Sequence, residues 1–306
     1  MILLVELVTL REAITYSCIL SFLAVGITLL YKTTKVPNFA HAALATLGAY
    51  VTYSLTSLLG INPYLSLPVS FLIGGLVALC LFFLVLEPMR RAKASVTMLM
   101  IATLAFDIVA SGAINAYADY LQTTFKISAR NVSLIRMDFQ IASLPGVFLT
   151  SITLIAMTVI LLYLLLNRTY LGISLRASME NQILAETIGI NTTFTLMLSW
   201  FIAGGLAGLG GTLLPVWTQI DTGVGMVFIA SMFCASTLGG LGEIYGAFLG
   251  GFLLGFAELL GTVILSKTLG TWVIPYRPVI PLIILSVTLL VSPRGLAGIL
   301  VRRRSK

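Results

Sequence analysis

The sequence predicts an all-α, polytopic transmembrane bundle of about 8–10 helices, because its apolar runs each approach the ~20 residues that cross a bilayer as a helix. Composition agrees. Hydrophobic residues fill 58% of the 306 positions and charged residues only 9%, where a soluble domain carries roughly 25% charge to solvate its surface. With a mean hydropathy of +1.06, the chain has too little polar surface to cover itself, so its outside must face membrane lipid. The runs are too long and too uniformly apolar for alternating barrel strands, which leaves helices to satisfy the backbone in hydrocarbon.

In chain order the candidate spans are 13–31, 39–59, 67–86, 95–118, 147–167, 193–213, 226–241, 246–264 and 279–292, within a single transmembrane domain over 1–306. Glu6, Arg11 and Glu12 lead into the first, and no basic n-region or A-x-A site accompanies it, so it reads as a retained helix rather than a cleaved signal. The seventh is short and the eighth is Gly-rich, which makes either a candidate for a broken or re-entrant helix. Residues 119–146 form a long external loop with room for a short surface helix, and 168–192 form an internal loop too polar to cross. SLPVSFL at 66–72 and SLPGVFL at 143–149 open the third and fifth spans alike, a faint duplication of the kind transporters carry. Cys18, Cys80 and Cys234 each sit inside an apolar run and read as small buried hydrophobes.

Nine spans sort the basic residues unequally. Lys32, Lys35, Arg90, Arg91, Lys93, Arg168, Arg176, Arg294, Arg302, Arg303, Arg304 and Lys306 fall on one side; Arg11, Lys126, Arg130, Arg136, Lys267 and Arg277 fall on the other. Cytoplasmic loops of membrane proteins are enriched in Lys and Arg, so the first side is cytoplasmic, with the N-terminus outside and the C-terminus inside. The net charge of +7 is therefore loop charge. No basic stripe interleaved with aromatics exists, and no nucleic-acid partner is expected.

Glycines mark two of the spans. Gly204 and Gly208, with Gly211, run along the sixth, and Gly246, Gly250 and Gly255 run along the eighth. Spacings of three to five residues keep small residues on roughly one face and let neighbouring backbones approach. That pattern serves ordinary tight packing or helices that slide during transport.

Catalytic chemistry is missing from the chain. His41 is the sole histidine, so HExxH cannot occur, and neither GxSxG nor a Gly-Lys pair of a phosphate-binding loop is present. No catalytic or metal-ligating residue and no cofactor are expected, and any ATP must be bound by another polypeptide. The intramembrane polar residues are more informative, since each is costly and turns toward a cavity or another helix. Asp107 lies near the middle of the fourth span, Glu258 within the eighth, and Asn38 and His41 at the mouth of the second. Asn38, His41 and Asp107 are candidates for a translocation pathway. An ion-coupled transporter would use such a carboxylate as its relay, while an isolated carboxylate can equally hydrogen-bond across helices.

The internal segment RASMENQILAETIG, 176–189, reads as a short amphipathic helix over 177–188. Ile183, Leu184 and Ile188 are its apolar members; Glu180, Asn181, Gln182, Glu186 and Thr187 are polar. Gly189 suits the left-handed position after a helix, and Asn191 or Thr192 can cap the next span. Such a helix can dock in a groove of a soluble partner and pass on rigid-body motion, or rest on lipid. Its acidic residues disfavour an anionic leaflet.

Five segments together resemble the inner-membrane permeases of branched-chain amino-acid ABC importers along nearly the whole chain. They are VPNFAHAALATLGAY at 36–50, RAS at 176–178 with GIN at 189–191, LGGLGEIYGAFLGGFLLG at 238–255, YRPVIP at 276–281 and SPRGLAGIL at 292–300. Pro37 stands where that pattern has Ile, Ala42 where it has Gly, and Asp107 has no counterpart in it. The resemblance implies a multi-pass protein of the cytoplasmic (inner) membrane in a heteromeric machine: a second permease subunit, two P-loop ATPases that bind the ATP, and an extracytoplasmic binding protein that delivers Leu, Ile or Val. It also implies that Arg176, Glu180, Glu186, Gly189 and Asn191 belong to the segment coupled to the ATPases. Related permeases for urea, amides or sugars, and an ion-coupled secondary transporter, are the rival readings.

Overall fold

The computed structural model of the chain describes residues 2–292 and 295–296. Arg294, Arg302, Arg303, Arg304 and Lys306, and most of SPRGLAGIL, lie outside the described residues.

Every expected span is a helix. In order the helices are α1 (Ile2–Thr34), α2 (His41–Leu59), α3 (Leu67–Leu81), α4 (Glu87–Arg91), α5 (Val96–Phe125), α6 (Gly146–Arg168), α7 (Tyr170–Glu180), α8 (Gln182–Thr187), α9 (Thr192–Trp217), α10 (Val224–Gly239), α11 (Ile244–Leu269) and α12 (Val279–Val291). A 3-10 turn before α3 and a π turn between α3 and α4 join Pro63–Arg91 into one stretch, giving seven helices among the described residues long and apolar enough to cross a membrane. The π turn precedes Pro88, whose ring cannot donate to the helical ladder and crowds the carbonyl four residues back, so the helix loosens there. Helices α10 and α12 have 16 and 13 residues, roughly 24 and 20 Å against ~30 Å of hydrocarbon.

Of the two spans offered as broken or re-entrant, the seventh is the short α10, and the eighth is unbroken. Helix α11 is continuous through its glycines over 26 residues. The second span is interrupted too: α1 ends at Thr34, residues 35–40 turn back into the bundle, and α2 begins at His41 beside Gly26 of α1. That is about two turns inside the end of α1. Helix α5 runs on to Phe125, so the external loop opens at Lys126 rather than at 119; Asp119, bound by Arg130 at 2.9 Å, lets the helix continue among polar residues. Cys18 and Cys234 are buried, whereas Cys80 is exposed on the outward side of α3.

Helices α1 and α9 form the centre. Both are apolar on all sides, and each is buried along most of its length, as a helix without a polar face must be. Small residues set how closely they pack. Gly204 and Gly208 of α9 face the carbonyls of Gly74 and Ser70 on α3, and Gly211 faces that of Ala45 on α2. On α11, Gly246 and Gly250 meet the carbonyls of Gly239 and Ala235 on α10, and Gly255 meets the backbone of Ser17 on α1. Many hydroxyls in this interior are satisfied within their own helix, each returning to the carbonyl four residues back, as from Ser17 to Ala13 (2.6 Å) and Thr28 to Ala24 (2.9 Å). A few then bridge helices: Thr52 donates to Thr212 at 3.0 Å, and Thr28 pairs with Ser236 at 2.6 Å. Helices α5 and α6 sit on the outside and turn most of their surface away from the bundle.

The two ends of the bundle differ. At one end, the basic end, α7 and α8 cover the end of α1, Gln182 donates to the Thr33 carbonyl at 3.1 Å, and Lys32 pairs with Glu243 in the α10–α11 turn at 3.8 Å. Lys35, Arg90, Arg91, Lys93, Arg168 and Arg176 lie at the same end, with Glu87 held by Arg90 and Arg91 at 2.8 and 2.9 Å. At the far end, the loop after α5 is stitched to the loop after α9 by the antiparallel strands β1 (Asn131–Val132) and β4 (Ile220–Asp221). A second pair, β2 (Gln140–Ile141) and β3 (Leu144–Pro145), leads into α6. The described lysines and arginines divide almost evenly between the ends. The excess that orients the chain is thus concentrated in its basic tail.

Candidate functional site

Three groups of residues could carry function, and they occupy three depths. The first is the α7–α8 segment at the basic end. It is two helices rather than one over 177–188: Asn181 is extended (φ −154°, ψ 108°), ends α7, and accepts from the Leu184 N–H to cap α8. An Asn that bonds its own downstream amide offers the backbone a better partner than helix continuation. Gly189 has φ +87° and its N–H bonds the Glu186 carbonyl at 3.0 Å. Asn191 then caps α9 through the Phe194 N–H at 3.0 Å. The Glu186 carboxylate accepts from the Thr192 hydroxyl, fastening α8 to the first turn of α9.

This segment has two faces. Leu175 and Met179 pack into the bundle, where α7 lies against α1, α6 and α9. Ile183 (77% exposed), Leu184 (60%) and Ile188 (69%) point away from it. Arg176, Glu180, Glu186, Gly189 and Asn191 are all exposed, and Arg176 reaches the side chain of Asn167 at 3.1 Å. Ile183 and Leu184 on α8 and Ile188 just past its end form an exposed apolar patch on a segment fastened to α9.

The second group surrounds the break before α2. Asn38, His41 and Asp107 are at most 1% exposed. They do not form one constellation. The His41 imidazole lies against Gly26 of α1, which the Ala203 carbonyl of α9 also approaches; a methyl at Gly26 would overlap the ring. Asp107 is on the other side of α2, where its Oδ1 accepts the Ala43 N–H at 2.9 Å, and one turn earlier the Thr103 hydroxyl accepts the Phe39 N–H at 3.1 Å. Asn38 Oδ1 accepts from the Ala40 N–H at 3.1 Å. The first amides of a helix lack partners inside it. Here the Ala43 amide is met by Asp107 of α5, and the Phe39 amide just before the helix by Thr103, because the helix starts inside the bundle.

The third group, at the far end, was only half visible in the sequence. Glu258 of α11 accepts from the Tyr16 hydroxyl (2.9 Å) and from Arg277 Nε (2.7 Å), and the guanidinium lies 4.2 Å from the Tyr16 ring centre. Tyr16 stacks on Trp217, whose indole N–H donates to Glu12 at 2.7 Å. Burial lowers the Arg277 pKa, but Tyr16 and Glu258 beside it raise it by more, so it stays above its ordinary value. A buried carboxylate calls for a cation; which of the far-end arginines serves is not written in the sequence. Among the described residues no three His, Cys, Asp or Glu side chains converge in a metal-holding group.

A cavity of about 590 Å³ lies between α2, α3 and α5. Its wall is mostly aliphatic and includes Ala43, with Phe106 and Ala110 on either side of Asp107 along α5. Toward the far end it reaches Ser54 and Tyr117, whose hydroxyls pair at 2.8 Å.

Comparison with known proteins gives a consistent result. Residues 9–291 match the model of the family described as branched-chain amino acid transport system / permease component. The chain is similar to the probable branched-chain amino acid transport permease protein LivH of Methanocaldococcus jannaschii, with 44% identity over 96% of this chain and 93% of the relative. It is also similar to the high-affinity branched-chain amino acid transport system permease proteins LivH of Escherichia coli (26% identity) and BraD of Pseudomonas aeruginosa (25%), each over 94% of both chains. No solved structure matches it.

Proposed function

The chain belongs to the family of branched-chain amino acid transport permease components, and from that premise we propose that it is one membrane half of an ATP-driven importer for Leu, Ile and Val or closely related amino acids. It is a multi-pass protein of the cell membrane. The proposed machine pairs it with a second permease subunit, two P-loop ATPases on the cytoplasmic face and an external binding protein. The basic end is cytoplasmic in this reading. The permease itself performs no covalent chemistry, and ATP is hydrolysed in its partners.

The observation that supports this reading best is the outward apolar face of α8. Ile183, Leu184 and Ile188 are 77%, 60% and 69% exposed among the described residues, and a groove on an ATPase is the proposed cover. Force on α8 reaches α9 through the Glu186–Thr192 contact and the Gly189 turn, and reaches α1 through Gln182 and the Thr33 carbonyl. Because α1 and α9 are the central helices, moving them re-orients the bundle as a body. To turn a 1:99 mixture of outward- and inward-facing states into 99:1, the ATP-bound ATPases must favour one state by about 5.5 kcal/mol.

Reconstitution tests the proposal. Vesicles holding the chain with its partner subunits and binding protein should accumulate radiolabelled leucine when ATP is supplied, with urea and ribose as poor competitors. Accumulation by this polypeptide alone on a proton gradient would sink the reading, and preferential uptake of urea or ribose would replace its substrate.

A further inference from the structure

We propose that the cavity between α2, α3 and α5 is the site where the substrate rests during passage, with the Asp107 carboxylate receiving its α-ammonium group; this rests on the reading that the substrate is a branched-chain amino acid. The argument begins with an unmet atom. Asp107 is 0% exposed and one of its oxygens takes the Ala43 N–H, but the second, Oδ2, has no hydrogen-bond partner. A buried carboxylate oxygen without a donor is expensive. A substrate ammonium would supply the missing donors as a charge-assisted hydrogen bond.

The surroundings fit the rest of the molecule to be bound. Ala43, whose N–H holds Asp107, forms part of the cavity wall, and Phe106 and Ala110 flank Asp107 along α5 and form another part. Leu44, Leu47 and Val77 make the space aliphatic. Its volume of about 590 Å³ lies within the range of small-molecule pockets, which combine apolar walls with a few placed polar groups. Access to Asp107 runs through α5. That helix is peripheral, with Ile108 and Val109 more than half exposed, and side-chain bonds from Thr103 and Asp107 hold it to the start of α2. A shift of α5 away from α2 joins the carboxylate to the cavity.

The test is direct binding of radiolabelled leucine to the purified complex of both permease subunits and the ATPases, without the binding protein, whose own selectivity would mask the site. The competitor is 4-methylpentanoate, which is leucine without its amino group. The complex should bind leucine and prefer it to 4-methylpentanoate. D107N keeps the Ala43 bond through its amide oxygen; it should weaken leucine binding about tenfold or more, the effect of losing one charge-assisted hydrogen bond, and narrow the preference. Ala110→Phe, which fills the cavity and leaves Asp107 intact, should weaken it too, and decides alone if D107N fails to assemble. Unchanged affinity in the variants, or no preference for the amine, overturns the site and assigns the cavity to a lipid chain or the second permease subunit. A complex that binds no leucine although the full importer accumulates it also overturns the site, whereas an importer that accumulates none refutes the proposed function instead.

Discussion

Replacing Gly189 with alanine isolates a purely conformational cost at the proposed coupling segment. Gly189 sits at φ +87°, and a methyl added there has no atom within 4 Å. Sterics with neighbours therefore contribute nothing, and what remains is the penalty for an L-residue in the left-handed region, about 1–2 kcal/mol. That shifts the population of the native turn by a factor of about 5–30. The turn carries the Gly189 N–H to Glu186 and precedes the Asn191 cap of α9, so a relaxed turn loosens α8 from α9 and leaves the bundle intact. In reconstituted importer, G189A should lower ATP-driven leucine uptake by several-fold up to that factor, with ATP hydrolysis falling less and the thermal midpoint of the purified chain unmoved. Asparagine enters the left-handed region more readily, so G189N should recover much of the uptake. If G189N is as defective as G189A, or if G189A transports at the full rate, backbone strain is not what the glycine relieves.

Other perturbations separate packing from coupling. A methyl at Gly208 would overlap the Ser70 carbonyl, so G208A should cost about 1–3 kcal/mol by forcing α3 from α9; at Gly112, with open space around it, the same change should stabilise by up to about 1 kcal/mol. Differential scanning fluorimetry in detergent reads both, and equal shifts would refute the close-contact account. Arg277→Met leaves Glu258 buried and unpaired and should destabilise by about 3–5 kcal/mol, with E258Q added to it restoring most of the loss. Ile183→Ser with Ile188→Ser should leave the thermal midpoint of the isolated chain unchanged, since both side chains are exposed, yet weaken co-purification of the ATPase subunits.

The features legible in the sequence are those a single segment determines for itself. All nine apolar runs are helical because a backbone in hydrocarbon must satisfy its own hydrogen bonds, and seven of the resulting helices among the described residues also have the length to cross. The glycines of α9 and α11 were readable for the same reason: small residues at helical spacing announce a close neighbour without saying which. Gly189 and Asn191 carried their own backbone signals, a left-handed exit and a cap. Asn181 carried the same kind of signal inside an apparently continuous amphipathic pattern, and its capping bond divided α7 from α8. The amphipathic reading also named Ile183, Leu184 and Ile188 without revealing that they face outward, because a period says that residues share a face and not what that face meets.

Partnerships between segments were hidden. Glu258 and Asp107 are both lone carboxylates in apolar helices, and by sequence they are equivalent. The structure separates them. Glu258 meets a guanidinium and a phenol, so its charge is paired and its oxygens are occupied. Asp107 meets a backbone amide that is free only because a different helix is interrupted at 35–40, and half of its capacity stays unused. Pro37 could signal the interruption, since the residue before a proline is driven out of the helical region, but nothing local signals that α5 delivers a carboxylate to the place where the ladder is missing. An acid in hydrocarbon acquires its role from the donor it is given. For Asp107 the protein supplies one donor where two oxygens wait, and that difference from Glu258 makes it the carboxylate on which transport, rather than stability, should depend.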